Sequence, residues 1–527
     1  MAVNYPQMTA YGLLAQSAQQ YPKAAAYYFM GKKTTYRQLM NRIDRVASGL
    51  YALGIRKGDC VTICMPNMPQ TVDCFYGLNR LGAVANMVHP LSAPEELRFY
   101  LSLTDSKAIL TLDSFYEKVA AVAEGRLILT ASVKPELPLW KQPFYREKSG
   151  TGGIFWQSLY RSPVSLPPAD TGHGDCACIL YSGGTTGKPK GVCLSNDNMN
   201  AAALQTLQGA GFENMRGMKM LAVMPMFHGF GLGVGIHTPL IAGAGAVLLP
   251  RFTPKSFYRT LKKQKPDFMP GVPALFAAMV QAPELKKADL SFLKGVFCGG
   301  DILPREWKEK VDAFLLAHGC REQLREGYGM TECVSVSALT PRHAAKAGTV
   351  GLPLADMEFQ IVKPGTTEVL APGQSGEICI HGPTVMLGYW QDPEETAQAL
   401  QTHADGRIWL HTGDLGSLDA EGYLRFHQRL KRMIVTNGYN VYPARLEQVL
   451  LQHPSVSECC VLGVPDARRG QRVRAVVVAQ GLVTQAQLLE HCSLYVARYA
   501  MPREIIFCQQ LPKTHLGKVD YQKLEAL

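Results

Sequence analysis

The chain has 527 residues, of which 47% are hydrophobic and 18% charged, and its formal net charge is +11. This composition is typical of a globular protein and excludes wholesale disorder, collagen-like repeats and a polytopic membrane protein. The length predicts about three domain-sized units, or one large α/β body with an appendage. The basic residues are scattered along the chain, so we expect an anionic small-molecule ligand and no nucleic acid.

The cysteines and the N-terminus favour a reducing compartment. Fourteen cysteines in so long a chain are too dilute for a disulfide scaffold, and neither C-x-x-C nor H-E-x-x-H occurs. The first ten residues lack a basic start that leads into an apolar core, so no secretory signal is predicted. We therefore expect reduced thiols and a cytoplasmic protein.

One uncharged stretch, residues 220–250, is long enough to cross a membrane. It contains three prolines, six glycines and two histidines, which divide it into shorter pieces. We predict two buried strands, separated by a glycine-rich loop that runs into a helix, and no transmembrane segment.

Short apolar runs alternate with amphipathic segments through most of the chain. They predict buried strands at 60–64, 84–88, 108–112, 127–130, 177–181, 221–224, 246–249 and 295–298. Helices predicted between them include 71–80 and 94–103, whereas 131–175 is rich in Pro, Gly and Ser and is predicted to loop over the surface. Apolar strands that alternate with helices predict α/β architecture with parallel sheets covered on both faces.

The last hundred residues or so differ in character from the rest. Strands are predicted at 433–436, 459–464, 475–479 and 504–507, with short helices between them. This length suffices for a separate α+β domain. The polar, basic junction at 427–432 gives the predicted division into residues 1–430 and 431–527.

The sharpest local signal is YSGGTTGKPKG at residues 181–191, directly after a predicted strand. Its glycines and hydroxyls leave backbone N–H groups free to converge, and its lysines add positive charge, as in loops that hold phosphate. It is not a Walker A loop, because that spacing needs glycine at Ser182 and a hydroxyl at Pro189. A flexible surface turn would explain the glycines and proline but not the hydroxyl–lysine pattern.

This loop resembles the phosphate loop of the adenylate-forming superfamily, which contains acyl-CoA synthetases, amino-acid adenylation domains and luciferases. Five further motifs follow in the family's order: MPMFHGF at 224–230, EGYGMTE at 326–332, TGD at 412–414, RLKRMIVTNG at 429–438 and PKTHLGK at 512–518. The resemblance implies an α/β fold with a large N-terminal domain of two doubly wound lobes plus a β-barrel. A small mobile α+β C-terminal domain completes the implied fold.

The family reaction begins with a carboxylate that attacks the α-phosphorus of ATP, which forms acyl-AMP and releases pyrophosphate. Two anions must approach each other, so charge neutralisation dominates catalysis. The resemblance implies an ATP- and AMP-binding set of Ser182, Gly184, Thr185, Thr186, Gly187, Lys190, Gly299, Gly300, Asp301, Tyr328, Gly329, Asp414 and Arg429.

Within that set, the resemblance gives several residues distinct roles. Thr185 and Thr186 would contact the β- and γ-phosphates while Lys190 steadies their loop. Tyr328 would pack on adenine. Asp414 would take the ribose hydroxyls, with Arg429 as its charged neighbour.

The resemblance also implies a catalytic set of Lys518, Thr331 and Glu332. Lys518 would bridge the attacking carboxylate and the α-phosphate, and Thr331 would contact that phosphate. Glu332 would hold Mg²⁺, which prefers carboxylate and phosphate oxygens. Lys431 stands at the family's hinge position.

The acceptor in the second half-reaction would be CoA. Asn437 and Gly438 resemble the site where pantetheine passes along the C-terminal domain. Four nearby arginines either meet the CoA phosphates or form a solvated face, and the sequence leaves both interpretations open: Arg468, Arg469, Arg472 and Arg474.

The acyl substrate is expected beside the FHGFG segment. Amino-acid adenylation domains place an Asp there, and this chain has none, so an amino acid is disfavoured. The alternating glycines at 229–235 leave room for an acyl chain, although close helix packing would also explain them. The predicted pocket for a fatty or aryl acid consists of Phe227, His228, Gly229, Leu232 and Ile236.

Two positions depart from the family pattern: Gly183 replaces a common serine, and Asp301 follows Gly300 where Ala-Pro is common. The predicted function is ATP-dependent conversion of a carboxylic acid to acyl-AMP and then acyl-CoA. The alternatives are a ligase that loads a carrier-protein phosphopantetheine and a non-catalytic AMP-binding protein. Intact Lys518 and Glu332 argue against the last. The identity of the acid and the oligomeric state are not readable from the sequence.

Overall fold

The computed structural model describes residues 3–145, 152–166, 171–182, 189–212, 215–301, 303, 305–429, 434–441, 443–512, 519 and 521–525. In chain order its strands are β1 Ala25–Phe29, β2 Lys32–Thr35, β3 Cys60–Cys64, β4 Val84–Met87, β5 Ala108–Leu112, β6 Leu127–Ala131, β7 Ile154–Phe155, β8 Cys176–Ser182, β9 Lys190–Ser195, β10 Lys219–Ala222, β11 Gly245–Leu248, β12 Phe268–Gly271, β13 Gly295–Cys298, β14 Leu324–Gly329, β15 Val336–Leu339, β16 Leu352–Pro353, β17 Glu358–Val362, β18 Gly376–His381, β19 Gly388–Tyr389, β20 Leu400–Thr402, β21 Ile408–Leu418, β22 Leu424–Arg429, β23 Ile434–Thr436, β24 Tyr439–Val441, β25 Val456–Asp466, β26 Gly470–Ala479 and β27 Glu504–Cys508.

The α-helices are α1 Ala10–Gln20, α2 Tyr36–Ala52, α3 Pro69–Leu81, α4 Pro94–Leu103, α5 Tyr116–Ala120, α6 Trp156–Leu159, α7 Asn196–Ala210, α8 Thr238–Ile241, α9 Pro254–Gln264, α10 Pro273–Gln281, α11 Arg305–Ala317, α12 Pro393–Ala399, α13 Pro443–Leu451, α14 Gln485–Ser493 and α15 Tyr521–Glu525. A π-helix spans Phe230–His237 and leads directly into α8. Among the described helices, none combines the length and apolar character needed to cross a membrane.

Two large sheets form the N-terminal body. One has the strand order β19-β9-β8-β4-β3-β5-β6-β7, and the other has the order β16-β15-β14-β13-β12-β10-β11-β1-β2. Their central strands are parallel, and β3 and β5 are buried at every position. Strands buried on both faces need helices on both sides, because each face must be removed from water. These are the two doubly wound lobes that the sequence predicts.

Two five-stranded sheets complete the fold. An antiparallel sheet has the order β17-β18-β21-β20, with β22 on β21, and the C-terminal sheet has the order β24-β23-β26-β25, with β27 on β26. The α/β class with a small C-terminal α+β unit is therefore confirmed. Strand β22 ends the third sheet at Arg429 and β23 opens the fourth at Ile434. The predicted boundary at 430/431 lies outside the described residues.

Helix α7 positions two parts of the site. It begins where β9 ends, and the Ser195 hydroxyl caps it by accepting the Asn198 N–H in a capping box. It ends at Gly211, whose φ of 86° suits the left-handed conformation that stops a helix. Its C-terminal turn lies over the face of the nine-stranded sheet.

The segment predicted to loop, 131–175, contains short elements. Two 3₁₀ turns lie at Lys134–Glu136 and Leu139–Phe144, and they are followed by β7 and α6. Trp156, at the start of α6, is fully buried, so this segment also contributes to the core.

Candidate active site

A cavity of about 940 Å³ lies where the nine-stranded sheet, α7 and the C-terminal unit meet. It opens at the carboxyl ends of β10, β13 and β14, which is where α/β sheets bind their ligands. The sequence-predicted residues that line it are Ser182, Lys190, His228, Gly229, Gly299, Gly300, Tyr328, Gly329, Thr331, Glu332, Asp414 and Gly438.

Six predicted residues lie outside the described part of the chain: Gly184, Thr185, Thr186, Gly187, Lys431 and Lys518. Their roles stay predictions. The residues that flank the phosphate loop are described, and Ser182 pairs with Lys190 in the antiparallel β8–β9 hairpin. Both flanking residues, Ser182 and Lys190, line the cavity.

Glu332 is a buried carboxylate at the cavity wall, only 4% exposed. Its Oε1 atom accepts hydrogen bonds from the Ser182 hydroxyl (2.6 Å) and the Tyr389 hydroxyl (3.0 Å). Thr331 opens the same 3₁₀ turn, Thr331–Cys333, and is also buried. An acid and a hydroxyl therefore lie side by side at the cavity wall, and the acid is bonded to Ser182.

Lys190 lies against two residues that the sequence reasoning missed. Its Nζ forms an ion pair with Glu395 of α12 and lies 4.7 Å from the centroid of the Tyr389 ring. The lysine and its partner are 9% and 16% exposed, so the pair is held in a largely water-free setting. The signal that could have found them is the segment GYWQDPEET at 388–396, an aromatic and an acid between two known motifs.

Tyr328 and Asp414 are joined by a buried hydrogen bond of 2.8 Å from the phenol to the carboxylate. Phe359 and Phe426 lie about the Tyr328 ring, with centroids at 6.2 and 6.0 Å. Asp414 and Arg429 are cross-strand partners in the β21–β22 ladder. The two residues are therefore neighbours, as the sequence predicts. The Arg429 side chain lies outside the described atoms.

The apolar end of the cavity is built mainly by residues that were not predicted. Phe230 and Val234 come from the π-helix, and Thr238 is the first residue of α8, so the three are spaced at four-residue intervals. The remaining wall consists of Thr206, Leu207, Ala210, Phe212, Met215, Met220, Phe268, Phe297, Val336 and Leu339.

The structure does not bring three predicted pocket residues to the cavity. Leu232 and Ile236 are fully buried in the main hydrophobic core, on the other side of the π-helix. Phe227 packs against His89, with ring centroids 4.3 Å apart. Only His228 and Gly229 of the predicted pocket line the cavity.

The glycines at 229 and 231 allow close packing of the backbone and do not leave open space beside the helix. A Cβ added at Gly229 would lie 1.4 Å from the carbonyl oxygen of Val334, and one at Gly231 would lie 2.0 Å from that of Pro225. Gly235 differs, since its nearest neighbour would be 3.8 Å away. The interpretation of these glycines as room for an acyl chain is therefore wrong for Gly229 and Gly231.

Val334 is itself unusual. Its φ of 63° and ψ of −58° place a β-branched residue in a rarely populated region. The Ser335 N–H donates to the Cys333 carbonyl at 2.6 Å, which makes Val334 the centre of a strained γ-turn. The turn pushes its carbonyl toward Gly229, and such strain clusters at functional sites.

The C-terminal unit contributes one wall. Asn437 and Gly438 form the β23–β24 turn with φ of 52° and 77°, and a Cβ on Gly438 would lie 3.3 Å from Val272. Tyr439 follows and stacks on Tyr499 with centroids 4.6 Å apart, and both rings lie near His89 at 5.2 and 5.1 Å. Burial lowers the pKa of His89 to about 3, so this ring is neutral.

The four arginines of the C-terminal unit divide into two pairs. Arg472 and Arg474 both bind Glu504, at 3.1 and 2.9 Å, and Arg474 is buried. Arg468 is exposed and Arg469 half-buried in the turn after β25. Arg472 and Arg474, the two arginines within β26, thus form ion pairs inside the C-terminal unit.

Asp301 is exposed and lies close to Gly470 of the C-terminal unit. A Cβ added at Gly470 would be 3.5 Å from the Oδ2 atom of Asp301. Asp301 follows β13 and Gly300, so it stands at the same edge of the sheet as the cavity. It is not among the cavity-lining residues.

Comparison with known proteins agrees with this geometry. Residues 14–390 match the family model for AMP-binding enzymes, and residues 445–518 match the model for the C-terminal domain of those enzymes. A long-chain-fatty-acid–CoA ligase of Bacillus subtilis is 34% identical over 98% of this chain and 94% of that protein.

Solved structures of the o-succinylbenzoate CoA synthetase of Bacillus subtilis are similar over the full length. A double mutant bound to a product analogue, OSB-NCoA, has a TM-score of 0.84 at 25% identity and covers 99% of both chains. The same enzyme in complex with its acyl-adenylate intermediate has a TM-score of 0.69 at 26% identity, with 99% of this chain and 98% of that chain covered.

The chain belongs to the AMP-binding enzyme family, the adenylate-forming superfamily that its motifs indicate. Within it, the chain is an AMP-forming acyl-CoA synthetase, an acid–thiol ligase. It uses ATP to convert a carboxylic acid to acyl-AMP and passes the acyl group to CoA.

Proposed function

We propose that the substrate is a fatty acid with an unbranched apolar chain, held between α7 and the nine-stranded sheet. The observation that carries this proposal is the direction of the apolar end of the cavity, which we call the apolar arm. Met224 follows the carboxyl end of β10, whereas Met220 lies near its amino end, and both line the cavity. Met220 and Met224 are four positions apart, which is at most about 13 Å at ~3.3 Å per extended residue, so the arm extends beyond the reacting carboxylate.

The chemistry of the arm favours an aliphatic chain over a hydroxylated aryl acid. Its far end is formed by Phe212, Met215, Met220 and Phe268. The hydroxyls that reach the arm are already used, since Thr206 donates to the Ala202 carbonyl and Thr238 to that of Gly233. A ring hydroxyl buried there would find no free donor in these two threonines and could only donate to their oxygens, which favours a chain without polar groups. The B. subtilis relative is named for long-chain fatty acids, which supports the same choice.

The nucleotide would lie at the polar end of the cavity. Tyr328, packed between aromatic rings, suits the adenine face, and Asp414 offers carboxylate oxygens to the ribose hydroxyls. Thr331 and Ser182 present hydroxyls at the phosphate-loop side. Binding ribose would exchange the Tyr328–Asp414 hydrogen bond for contacts with the ligand.

Mg²⁺ fits the donor set at Glu332. The carboxylate is buried next to Ser182, and the hydrogen bonds from the Ser182 and Tyr389 hydroxyls both fall on its Oε1 atom. A hard cation takes such oxygens together with those of the phosphates. When bound, it supplies charge neutralisation for the leaving pyrophosphate. Ser182 and Tyr389 hold the carboxylate in place for this role.

Two half-reactions in one cavity require the C-terminal unit to move, and Lys431 is the proposed hinge. In the present arrangement the Asn437–Gly438 turn borders the cavity, as the pantetheine path would need. The TM-score is 0.84 for the relative bound to a product analogue and 0.69 for the relative bound to the adenylate. This difference supports the view that the present arrangement is the one for thioester formation.

The compartment proposed for this enzyme is the cytoplasm. All fourteen cysteines are free, and most are buried in the core. A chain that folds with so many thiols unpaired is suited to a reducing environment.

The substrate proposal is tested with Ala210→Phe, which adds a ring at the α7 end of the arm. Acyl-CoA formation is measured for saturated acids from hexanoate to octadecanoate and for a hydroxycinnamate. We expect the parent enzyme to prefer a long fatty acid, and the variant to lose about tenfold or more in kcat/KM for the longest acids while hexanoate is spared.

Gln208→Trp, on the exposed face of the same helix, is the matched control and should keep the parent profile. A parent preference for the hydroxycinnamate over every fatty acid would refute the proposal. So would an equal loss for all chain lengths in Ala210→Phe.

The metal role is tested with Glu332→Gln, which keeps the shape of the side chain but removes its charge. Pyrophosphate release is followed during a magnesium titration, and we expect the variant to need more Mg²⁺ and to reach a lower rate. An unchanged magnesium dependence would assign the metal to another group.

A further inference from the structure

Three metal-ligating side chains meet outside the catalytic centre, on the antiparallel sheet formed by β17, β18, β20 and β21. They are Cys379, His403 and His411, and their ligand atoms all lie within 4.8 Å of one another. Cys379 and His411 are direct cross-strand partners in the β18–β21 ladder. His403 follows β20 in a turn closed by its own N–H on the Arg407 carbonyl at 3.0 Å.

The cluster is withdrawn from solvent. Cys379 is fully buried, His403 is 5% exposed, and the His411 side chain is 6% exposed. The Trp409 ring stacks on His403, with centroids 5.4 Å apart and planes inclined by 19°. Such packing fixes the imidazole plane and leaves only the ring nitrogens to make polar contacts.

Both imidazoles are held through Nδ1. His403 Nδ1 lies 2.7 Å from the Gln360 Oε1 atom, and His411 Nδ1 lies 3.2 Å from Glu377 Oε2. An amide oxygen and a carboxylate are acceptors, so each ring places its proton on Nδ1. The two Nε2 atoms then face each other at 3.0 Å with their lone pairs. Two lone pairs at this distance repel unless a proton or a metal ion lies between them.

We propose that Cys379, His403 and His411 form a binding site for Zn²⁺. One thiolate and two imidazoles are the soft and borderline donors that zinc takes in tetrahedral sites. Metal-binding histidines usually donate their second ring N–H to a carboxylate or carbonyl oxygen, and Glu377 and Gln360 occupy those positions here. Binding breaks the S–H bond of Cys379, forms a sulfur–zinc bond and releases the proton to solvent.

The fourth coordination position faces the large cavity. His411 and Glu377 both line that cavity, which gives the ion an entry path and a place for water. Because the fourth position is open to water rather than closed by protein, the site has the donor count of a three-ligand zinc centre.

The cluster is joined to the nucleotide end of the active site. Glu377 Oε1 accepts the Gly413 N–H at 3.0 Å, and Gly413 has a φ of 70° directly before Asp414. An ion on His411 would fix Glu377 from one side while Gly413 fixes it from the other. The zinc site therefore positions the turn that carries Asp414, without contact with the reacting atoms.

A metal-free alternative makes a different prediction. If the Gln360 amide is turned over, its nitrogen donates to His403 Nδ1, and His403 Nε2–H then donates to His411. That arrangement satisfies all four ring nitrogens without a cation and leaves Cys379 as an ordinary buried thiol. It predicts no retained metal.

The test uses the full-length protein without an affinity tag, loaded with Zn²⁺ and dialysed, and its metal content is measured. A second sample is loaded with Co²⁺, whose thiolate-to-metal charge-transfer absorption reports a Cys ligand directly in the parent protein. We expect one retained equivalent of metal per chain and the charge-transfer band.

Cys379→Ser removes the thiolate, and Cys320→Ser removes a buried cysteine in a different core cluster as the matched control. The band should vanish in Cys379→Ser and persist in Cys320→Ser. Failure of the parent protein to retain zinc or to show the band would overturn the proposal, whether or not Cys379→Ser folds. Equal zinc retention by the two folded variants would also overturn it.

Discussion

His237 is a fully buried histidine whose polar contacts fix its tautomer. Asn200 donates its amide N–H to the Met8 carbonyl, so its Oδ1 accepts from His237 Nε2 at 2.9 Å. The Tyr76 hydroxyl lies 2.9 Å from Nδ1 and donates to it. The neutral ring satisfies both contacts, whereas a protonated ring would require the Tyr76 hydroxyl to accept instead of donate and would place a charge in a fully buried site. Burial accordingly lowers the pKa of His237 to about 3.

This histidine makes the folded state sensitive to acid. Above pH 6.5 the ring is neutral in both the folded and unfolded chains, so it adds no pH dependence. Between that pH and about 3, only the unfolded chain takes up the proton. As the pH decreases through this range, His237 should therefore lower the free energy of unfolding by about 1.4 kcal/mol per pH unit.

We expect His237→Gln to lower stability at pH 7, because it disturbs the contacts with Tyr76 and Asn200, but to flatten the decline between pH 6 and pH 4. Urea unfolding at several pH values measures both effects. His343→Gln, at an exposed histidine, should keep the slope of the parent. Parallel pH slopes for His237→Gln and the parent would contradict the assignment.

The sequence singled out residues of the cavity where a motif surrounds them, and their roles stay predictions. Tyr328, Glu332 and Asp414 were named from their motifs, and the structure brings all three to one cavity. The cluster of Cys379, His403 and His411 escaped, because its spacing matches no known metal signature. Only the β18–β21 register and the turn after β20 bring those atoms together, and register is a long-range property.

At the scale of elements, the π-helix at Phe230–His237 shows why a correct segment gave an incomplete pocket. The helix was predicted, but its cavity-facing side was not. Polar residues normally mark the outer face of a helix, whereas here glycine alternates with apolar residues. The phase of the helix is set instead by the contact of Gly229 with the Val334 turn.

That contact gives an element-scale prediction for Gly229→Ala. The new methyl group would overlap the Val334 carbonyl, which already lies in a strained turn next to Thr331 and Glu332. We expect a loss of about 3 kcal/mol or more in stability, or a drop of about 100-fold in acyl-AMP formation if the turn yields. Thermal unfolding and pyrophosphate release measure the two effects.

Gly235→Ala is the matched control on the same helix, because its Cβ would have no neighbour closer than 3.8 Å. Removing a glycine from a helix interior should leave stability unchanged or raise it by about 0.5–1 kcal/mol. Similar losses of stability or activity in the two variants would show that the helix tolerates no side chain at either site. The contact between Gly229 and the Val334 carbonyl would then not explain the effect of Gly229→Ala.

At the scale of the whole molecule, the sheets were the most predictable feature. Strands β3, β5 and β13 have the predicted bounds, since buried parallel strands read as unbroken apolar runs. The antiparallel sheet of β17, β18, β20, β21 and β22 was expected only through the family resemblance. Strands β17, β20 and β21 carry several partly or fully exposed positions, and strands of that kind give a weaker signal in the sequence.

The proposed hinge gives a prediction for the whole molecule. Proline at Lys431 would fix φ near −65° and restrict rotation of the C-terminal unit. In the present arrangement Gly438 lies beside the cavity, so the variant trapped here should form thioester from supplied acyl-AMP but adenylate poorly. Trapping in the other arrangement would give the reverse. The two half-reactions, assayed separately, should in either case separate by about tenfold or more.

Lys518→Ala is the companion variant. It should abolish pyrophosphate release, with a cost of about 3 kcal/mol or more, yet leave thioester formation from acyl-AMP intact. Equal effects of Lys431→Pro on both half-reactions would remove the hinge role. Normal pyrophosphate release by Lys518→Ala would remove the catalytic one.

Helix α7 has a consequence for how the enzyme discriminates among acids. It is a rod of 15 residues, about 22 Å long, whose first turn follows the strand that leads out of the phosphate loop and whose last turn covers the acyl arm. An acid too long for the arm must displace the far end of this rod, and a stiff rod transmits that displacement to β9 and Lys190. Overlong acids should then lose turnover rate in addition to affinity, so chain length is discriminated in both quantities.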